Sequence, residues 1–107
     1  AELEQALNQY QRAVQLAPDV GFYYSNLGNA YLEMERLDQA RSAAERALAL
    51  DSTFSSARVL LGDVHARRGE YARAIAVWED IPSSGAAQDS LRAKIAEARR
   101  RRAGQQR

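Results

Sequence analysis

Tyr24-Ser25-Asn26-Leu27-Gly28-Asn29-Ala30-Tyr31 is answered 34 residues later by Arg58-Val59-Leu60-Leu61-Gly62-Asp63-Val64-His65. Leu-Gly recurs at 27–28 and 61–62, and Ala6, Ala40 and Ala74 share the same spacing. Tyr10, Ala44 and Trp78 fall in one register, as do Ala13 with Ala47 and Pro18 with Ser52. A fixed period of this length marks stacked supersecondary units, none of which buries its apolar face alone.

Inside the units the large apolar residues stand at helical spacing: Tyr24, Leu27 and Tyr31, then Leu37, Leu48 and Leu50. Gly28 and Gly62 lie within these segments, where Gly costs about 1 kcal/mol relative to Ala. A closely approaching partner helix justifies that cost, with Ala40 and Ala74 as the matching small surfaces. The pattern predicts six helices, over about 1–17, 21–34, 37–50, 55–68, 71–81 and 88–102. Asp19 and Asp51-Ser52 mark turns between units, and Gly69 a tight turn within one. Glu35 holds the position of Gly69 in the earlier unit, so the turn there forms without Gly. Pro82-Ser83-Ser84-Gly85 reads as a linker. Beyond it Leu91, Ile95 and Ala98 make an i, i+4, i+7 stripe that suits a capping helix.

The order aromatic, Leu-Gly, Tyr, Ala, aromatic, Pro resembles the tetratricopeptide repeat (TPR) signature. The resemblance covers roughly 1–82. It divides the chain into the second helix of a truncated repeat (1–20), a TPR unit (21–54) and a degenerate TPR unit (55–82). A linker (83–87), a capping helix (88–102) and a disordered tail (103–107) complete it. In unit 21–54 Ala44 and Ser52 replace the second aromatic and the Pro. In unit 55–82 Arg58 and His65 replace the first aromatic and the Tyr. The fold this implies is all-α, a right-handed superhelical solenoid of antiparallel helix pairs.

Net charge is +1, unevenly spread. Residues 1–87 hold 8 basic and 12 acidic side chains, residues 88–107 hold 7 basic and 2 acidic, so the positive excess belongs to the last helix and tail. There is no Cys, which removes disulfides, thiolate metal sites and thiol nucleophiles. Apolar runs of a few residues predict no membrane span. Ala1-Glu2-Leu3-Glu4 opens directly into an amphipathic helix without a signal-peptide pattern, as in a segment of a longer bacterial-type protein with further repeats before it. Localisation, cytoplasmic or periplasmic, is not encoded in it. The helix of Leu3, Leu7, Tyr10 and Val14 then lacks its antiparallel partner, and an open flank there predicts weak self-association.

No residue set reads as catalytic, no cofactor is called for, and the chain is not expected to be an enzyme. His65, the one histidine, stands in register with Tyr31 and reads as a packing residue. Glu33/Glu35 and Glu79/Asp80 are one or two residues apart, so they point in different directions on a helix and make no acid–base pair. Arg99-Arg100-Arg101-Arg102 reads as a solvated helix end complementing the dipole. No aromatic is interleaved with it, which counts against a nucleic-acid partner.

What the resemblance implies about function is a groove, lined by the first helix of each unit, that holds a peptide or helix of a partner protein. By register its residues are Phe22, Ser25, Asn26, Asn29 and Glu33, then Ser56, Val59, Leu60, Asp63 and Arg67. TPR domains that clamp chaperone C-termini present Lys and Arg where this chain has Ser56 and Leu60, which argues against that ligand. The expected function is an interaction scaffold or adaptor. The stretch Gly69–Glu79 with Ile95–Arg99 resembles TPR subunits of cytochrome c biogenesis, and Leu61-Gly62-Asp63 with Gly69-Glu70-Tyr71 resembles TPR proteins of lipopolysaccharide assembly. A substrate-recruiting regulatory domain fused to an enzyme is the remaining alternative.

Overall fold

The computed structural model describes residues 1–106. Among them are six helices and no strand: α1 (Glu2–Leu16), α2 (Gly21–Glu33), α3 (Leu37–Leu50), α4 (Ser55–Arg67), α5 (Tyr71–Glu79) and α6 (Gly85–Gln105). Each helix packs on the next and α4 also touches α2, the connectivity of an all-α solenoid.

The period is visible in the turns. At the end of α2 the N–H of Arg36 bonds to the Tyr31 carbonyl at 2.9 Å, and at the end of α4 the N–H of Glu70 bonds to the His65 carbonyl at 2.9 Å. Both are Schellman closures, which need a left-handed residue just past the helix. Gly69 takes it at φ 77°, and Glu35 is forced into it at φ 58°. Between units, Val20 and Phe54 donate to the carbonyls of Ala17 and Asp51. Tyr24 donates its hydroxyl to the Pro18 carbonyl at 3.1 Å. Its counterpart Arg58 donates to the Ser52 carbonyl at 2.7 and 3.0 Å, so a different side chain makes the same tie.

Two apolar clusters hold the stack together. The first joins Leu7, Leu27, Tyr31, Leu32, Ala40, Ala44, Leu60 and Val64 across α1 to α4. The second joins Ala74, Ile75, Trp78 and Ile81 to Leu91 and Ala98 of α6. On α3 the alanines 40, 44 and 47 are wholly buried because α2 and α4 lie over them.

Two boundaries and one exposed flank differ from expectation. Residues 85–87 of the expected linker are helical: Gly85, at φ 60°, makes the bend, and Ala86 and Ala87 favour helix. Residues 103–105 of the expected disordered tail are helical too, because the end of α6 is anchored. Gln105 Nε2 donates to the Gly69 carbonyl at 3.1 Å, and Arg99 pairs with Glu79 at 3.2 Å. Arg107 lies outside the described residues. Lastly, the expected open flank of α1 is smaller than its sequence suggests. Leu7 is buried, and Tyr10 and Val14 pack on the first cluster through α2. What stays partly open is Ala6 and Ala13, whose counterparts Ala40 and Ala47 are covered. No helix among the described residues is long and apolar enough to cross a membrane.

Candidate interaction site

α2, α4 and α6 are placed side by side by the repeat, and α6 continues the 34-residue register although its sequence looks unlike a repeat. Asn29, Asp63 and Glu97 fall in one row, and Glu33, Arg67 and Arg101 in the next. Between α4 and α6 lies a cleft of about 610 Å³. Leu32, Ala66, Tyr71, Trp78 and Ala98 give it apolar lining, while Asp63, Arg67, Lys94, Glu97 and Arg101 carry the charge.

Every cation of the cleft is held by an acid of the same chain. Lys94 Nζ lies 2.9 Å from Asp63 Oδ1 and 5.8 Å from the centroid of the Trp78 ring, a cation–π distance. Arg67 pairs with Glu35 on the α2–α3 turn. Arg101 Nε lies 2.7 Å from Glu97 Oε1, and Arg100 pairs with the other oxygen of Glu97. The bonds from Arg100 first and Arg101 second hold the Glu97 carboxyl below its ordinary pKa. Arg101 is raised by Glu97 and then by Tyr71.

Of the residues expected in the groove, Phe22, Asn29, Glu33, Ser56 and Arg67 are exposed, and Asn26, Val59 and Asp63 half-buried. Two do not belong to a ligand surface. Ser25 is 2% exposed and Leu60 1%, because α2 and α4 face each other there and Leu60 fills the space over Gly28. Val59 packs toward the second cluster, and its carbonyl accepts the Trp78 Nε1 hydrogen at 3.3 Å. The α6 contributors Lys94, Glu97 and Arg101 were missed, though adding 34 to Leu60, Asp63 and Arg67 finds them. Tyr71 and Trp78 carry no such signal, since they come from the second helix of a unit.

His65 is spent on structure: its Nδ1 lies 2.9 Å from Glu70 Oε1, with 12% of the side chain exposed. The hydrogen bond to His65 lowers the Glu70 pKa, with Arg73 and Arg68 adding to it. The acids Glu33, Glu35, Glu79 and Asp80 are exposed and form no shared cleft. Among the described residues no three His, Cys, Asp or Glu side chains converge as metal ligands.

The tetratricopeptide repeat family matches residues 25–89, more than half of the chain, and a further TPR repeat match covers residues 2–35. The chain belongs to the tetratricopeptide repeat family. Small glutamine-rich tetratricopeptide repeat-containing protein 2 of Saccharomyces cerevisiae is 26% identical over 80 residues, 75% of this chain. The chain spans only 23% of that protein's length. The Arabidopsis OM64 TPR domain superposes with a TM-score of 0.82 at 20% identity, over 92% of this chain and 82% of that one. The second TPR domain of human RPAP3, solved in complex with an HSP70 peptide, gives 0.78 at 18% identity, over 91% and 81%. At these identities the likeness is one of fold.

Proposed function

We propose that this chain is a protein-interaction module without catalytic activity, holding a peptide or helix of a partner protein on the face shared by α2, α4 and α6. The observation that carries this reading is the cleft between α4 and α6, whose apolar floor and preset charged rim suit a protein segment. Asn29, exposed on α2, extends the same face with an amide that both donates and accepts. The HSP70 peptide bound by the RPAP3 domain supports a peptide ligand as a class. It does not point to that tail here, since Ser56 and the buried Leu60 stand where such grooves carry cations. A ligand of micromolar strength, roughly −8 kcal/mol, fits an open cleft of this kind.

The test compares partner capture by the native chain with that by a variant carrying Asn29→Asp and, at a position of α6 that also lines the cleft, Ala93→Arg. Both positions are exposed, so the helical circular dichroism is expected to persist while capture is lost. Undiminished capture moves the site off this face. Leu60→Arg is no test of binding, because a charge at a position 1% exposed unfolds the stack. Cytochrome c biogenesis, envelope assembly and fusion to an enzyme differ in partner and compartment, and the full-length chain separates them. Weak self-association through the flank of α1 is a lesser consequence, resting on part-exposed Ala6 and Ala13 and on Leu16, 77% exposed. Light scattering that shows only monomer at millimolar concentration removes it.

A further inference from the structure

α6 is held differently from the five helices before it. Of its 21 residues only Leu91 and Ala98 are buried, both in the second cluster. That cluster shares no buried residue with the one that joins α1 to α4. Among the described residues α6 packs chiefly on α5, with no helix on its far side. An end element of a stack opens at lower cost than the stack as a whole.

The chain entering α6 permits that movement. Ile81 is buried, but among the described residues 82–84 form no backbone hydrogen bond to α1–α5, and Ser84 gives α6 no side-chain cap. Gly85 takes φ 60°, and a β-carbon there would meet nothing within 4 Å, so the joint has free space around it.

The polar ties that return α6 to the body are unequal. Arg99 with Glu79 and Gln105 with the Gly69 carbonyl are exposed. Lys94 Nζ with Asp63 Oδ1, at 2.9 Å, is part-buried, and the ammonium stands 5.8 Å from the centroid of the Trp78 ring. Solvent screens this pair less than the others, which makes it the firmest of them. It also spans the cleft, joining α6 to α4.

We propose that α6 is a latched lid, swinging as one helix about residues 82–85, with the Lys94–Asp63 pair as the catch that holds it over Trp78. With the lid closed, the cleft between α4 and α6 exists. With it open, the cleft is gone and the face of Ile75, Trp78 and Ile81 is uncovered. Where the groove reading above holds, the closed fraction sets the share of chains competent to bind.

Native-state hydrogen exchange of the whole chain in low denaturant tests this. Acrylamide quenching of Trp78, the only tryptophan, gives a second readout. α6 is expected to exchange through an opening that leaves α1–α3 protected. Lys94→Met should make that opening about tenfold more frequent and Trp78 easier to quench, with exchange in α1–α3 unchanged. Asp63→Asn should add little to Lys94→Met, since either change releases the same catch. Exchange of α6 only by global unfolding overturns the proposal. So does a Lys94→Met chain in which α6 is unaffected, or in which all six helices exchange faster alike. Fully additive effects of the two substitutions remove the pair as the catch. No partner enters the measurement, so failure of the latch and failure of the groove reading are separate results.

Discussion

The indole of Trp78 lies against the α-carbon of Gly62, with Nε1 2.1 Å from where a β-carbon on that glycine would stand. Trp78 is 4% exposed and tied to the Val59 carbonyl, so the ring has nowhere to retreat. Gly62→Ala gains about 1 kcal/mol of helix propensity. It loses about 1–3 kcal/mol to overpacking. Because the ring is boxed in, the upper end applies and a net loss of about 1–2 kcal/mol is expected in urea unfolding. Adding Trp78→Leu should make the Gly62→Ala change less costly, a coupling that a double-mutant cycle measures.

Glu35 occupies with φ 58° the left-handed position that Gly69 holds with φ 77° one repeat later. That conformation costs a side chain with a β-carbon about 1–2 kcal/mol. Against this, Glu35→Gly gives up an exposed pair with Arg67 and adds freedom to the unfolded chain. The expected balance is a gain of about 0.5–1 kcal/mol, read from the denaturation midpoint. Glu35→Val should instead lower the midpoint.

Glu70 accepts a hydrogen bond from His65 inside the α4–α5 closure, which places its pKa below the usual 4.5. A carboxyl with a depressed folded-state pKa adds stability that is complete above the unfolded value. That contribution disappears as pH falls through the lowered one. The stability difference between the native chain and Glu70→Gln should thus be constant above pH about 5 and shrink below it. A carboxyl-detected titration of His65→Ala should find the Glu70 pKa moved upward.

α6 is held to the second cluster by Leu91, which is 7% exposed. Leu91→Ala should cost about 2–4 kcal/mol. Its effect on hydrogen exchange should concentrate in α4, α5 and α6, since stability in a stacked chain is passed between neighbours. Equal loss of protection in α1 and α2 would mean that the stack unfolds as one unit.

The 34-residue period made most of the fold legible, because each unit must bury the same face against the same neighbour. The Leu-Gly pairs, the alanines of α3 and the Gly69 turn all lie in that register. α3 runs over the expected residues, and α2, α4 and α5 end within two of them. What the small residues meet was less legible. Gly28 faces Leu60 together with Ala43 and the Ala40 carbonyl, whereas the atoms nearest Gly62 all belong to Trp78. Composition misled at the end of the chain, where Ala103-Gly104-Gln105 reads as part of a disordered tail. Its order comes from contacts with Glu79, Glu97 and the Gly69 carbonyl, two of them distant in sequence.

For the candidate site the division is sharper. Register names the residues on the exposed side of each first helix, since helical geometry sets the direction of every side chain. It therefore assigns Asn29, Asp63 and Arg67 without a structure. Register cannot tell how closely two helices approach, and so it placed Ser25 and Leu60 in a groove when the contact of α2 with α4 buries them. Nor can it show that α6 lies beside α4. That docking, driven by burial of Leu91 and Ala98 on Trp78, brings Lys94 over Asp63 and Arg101 into the cleft. The repeat is a local property of the chain, whereas the cleft exists only where three helices meet.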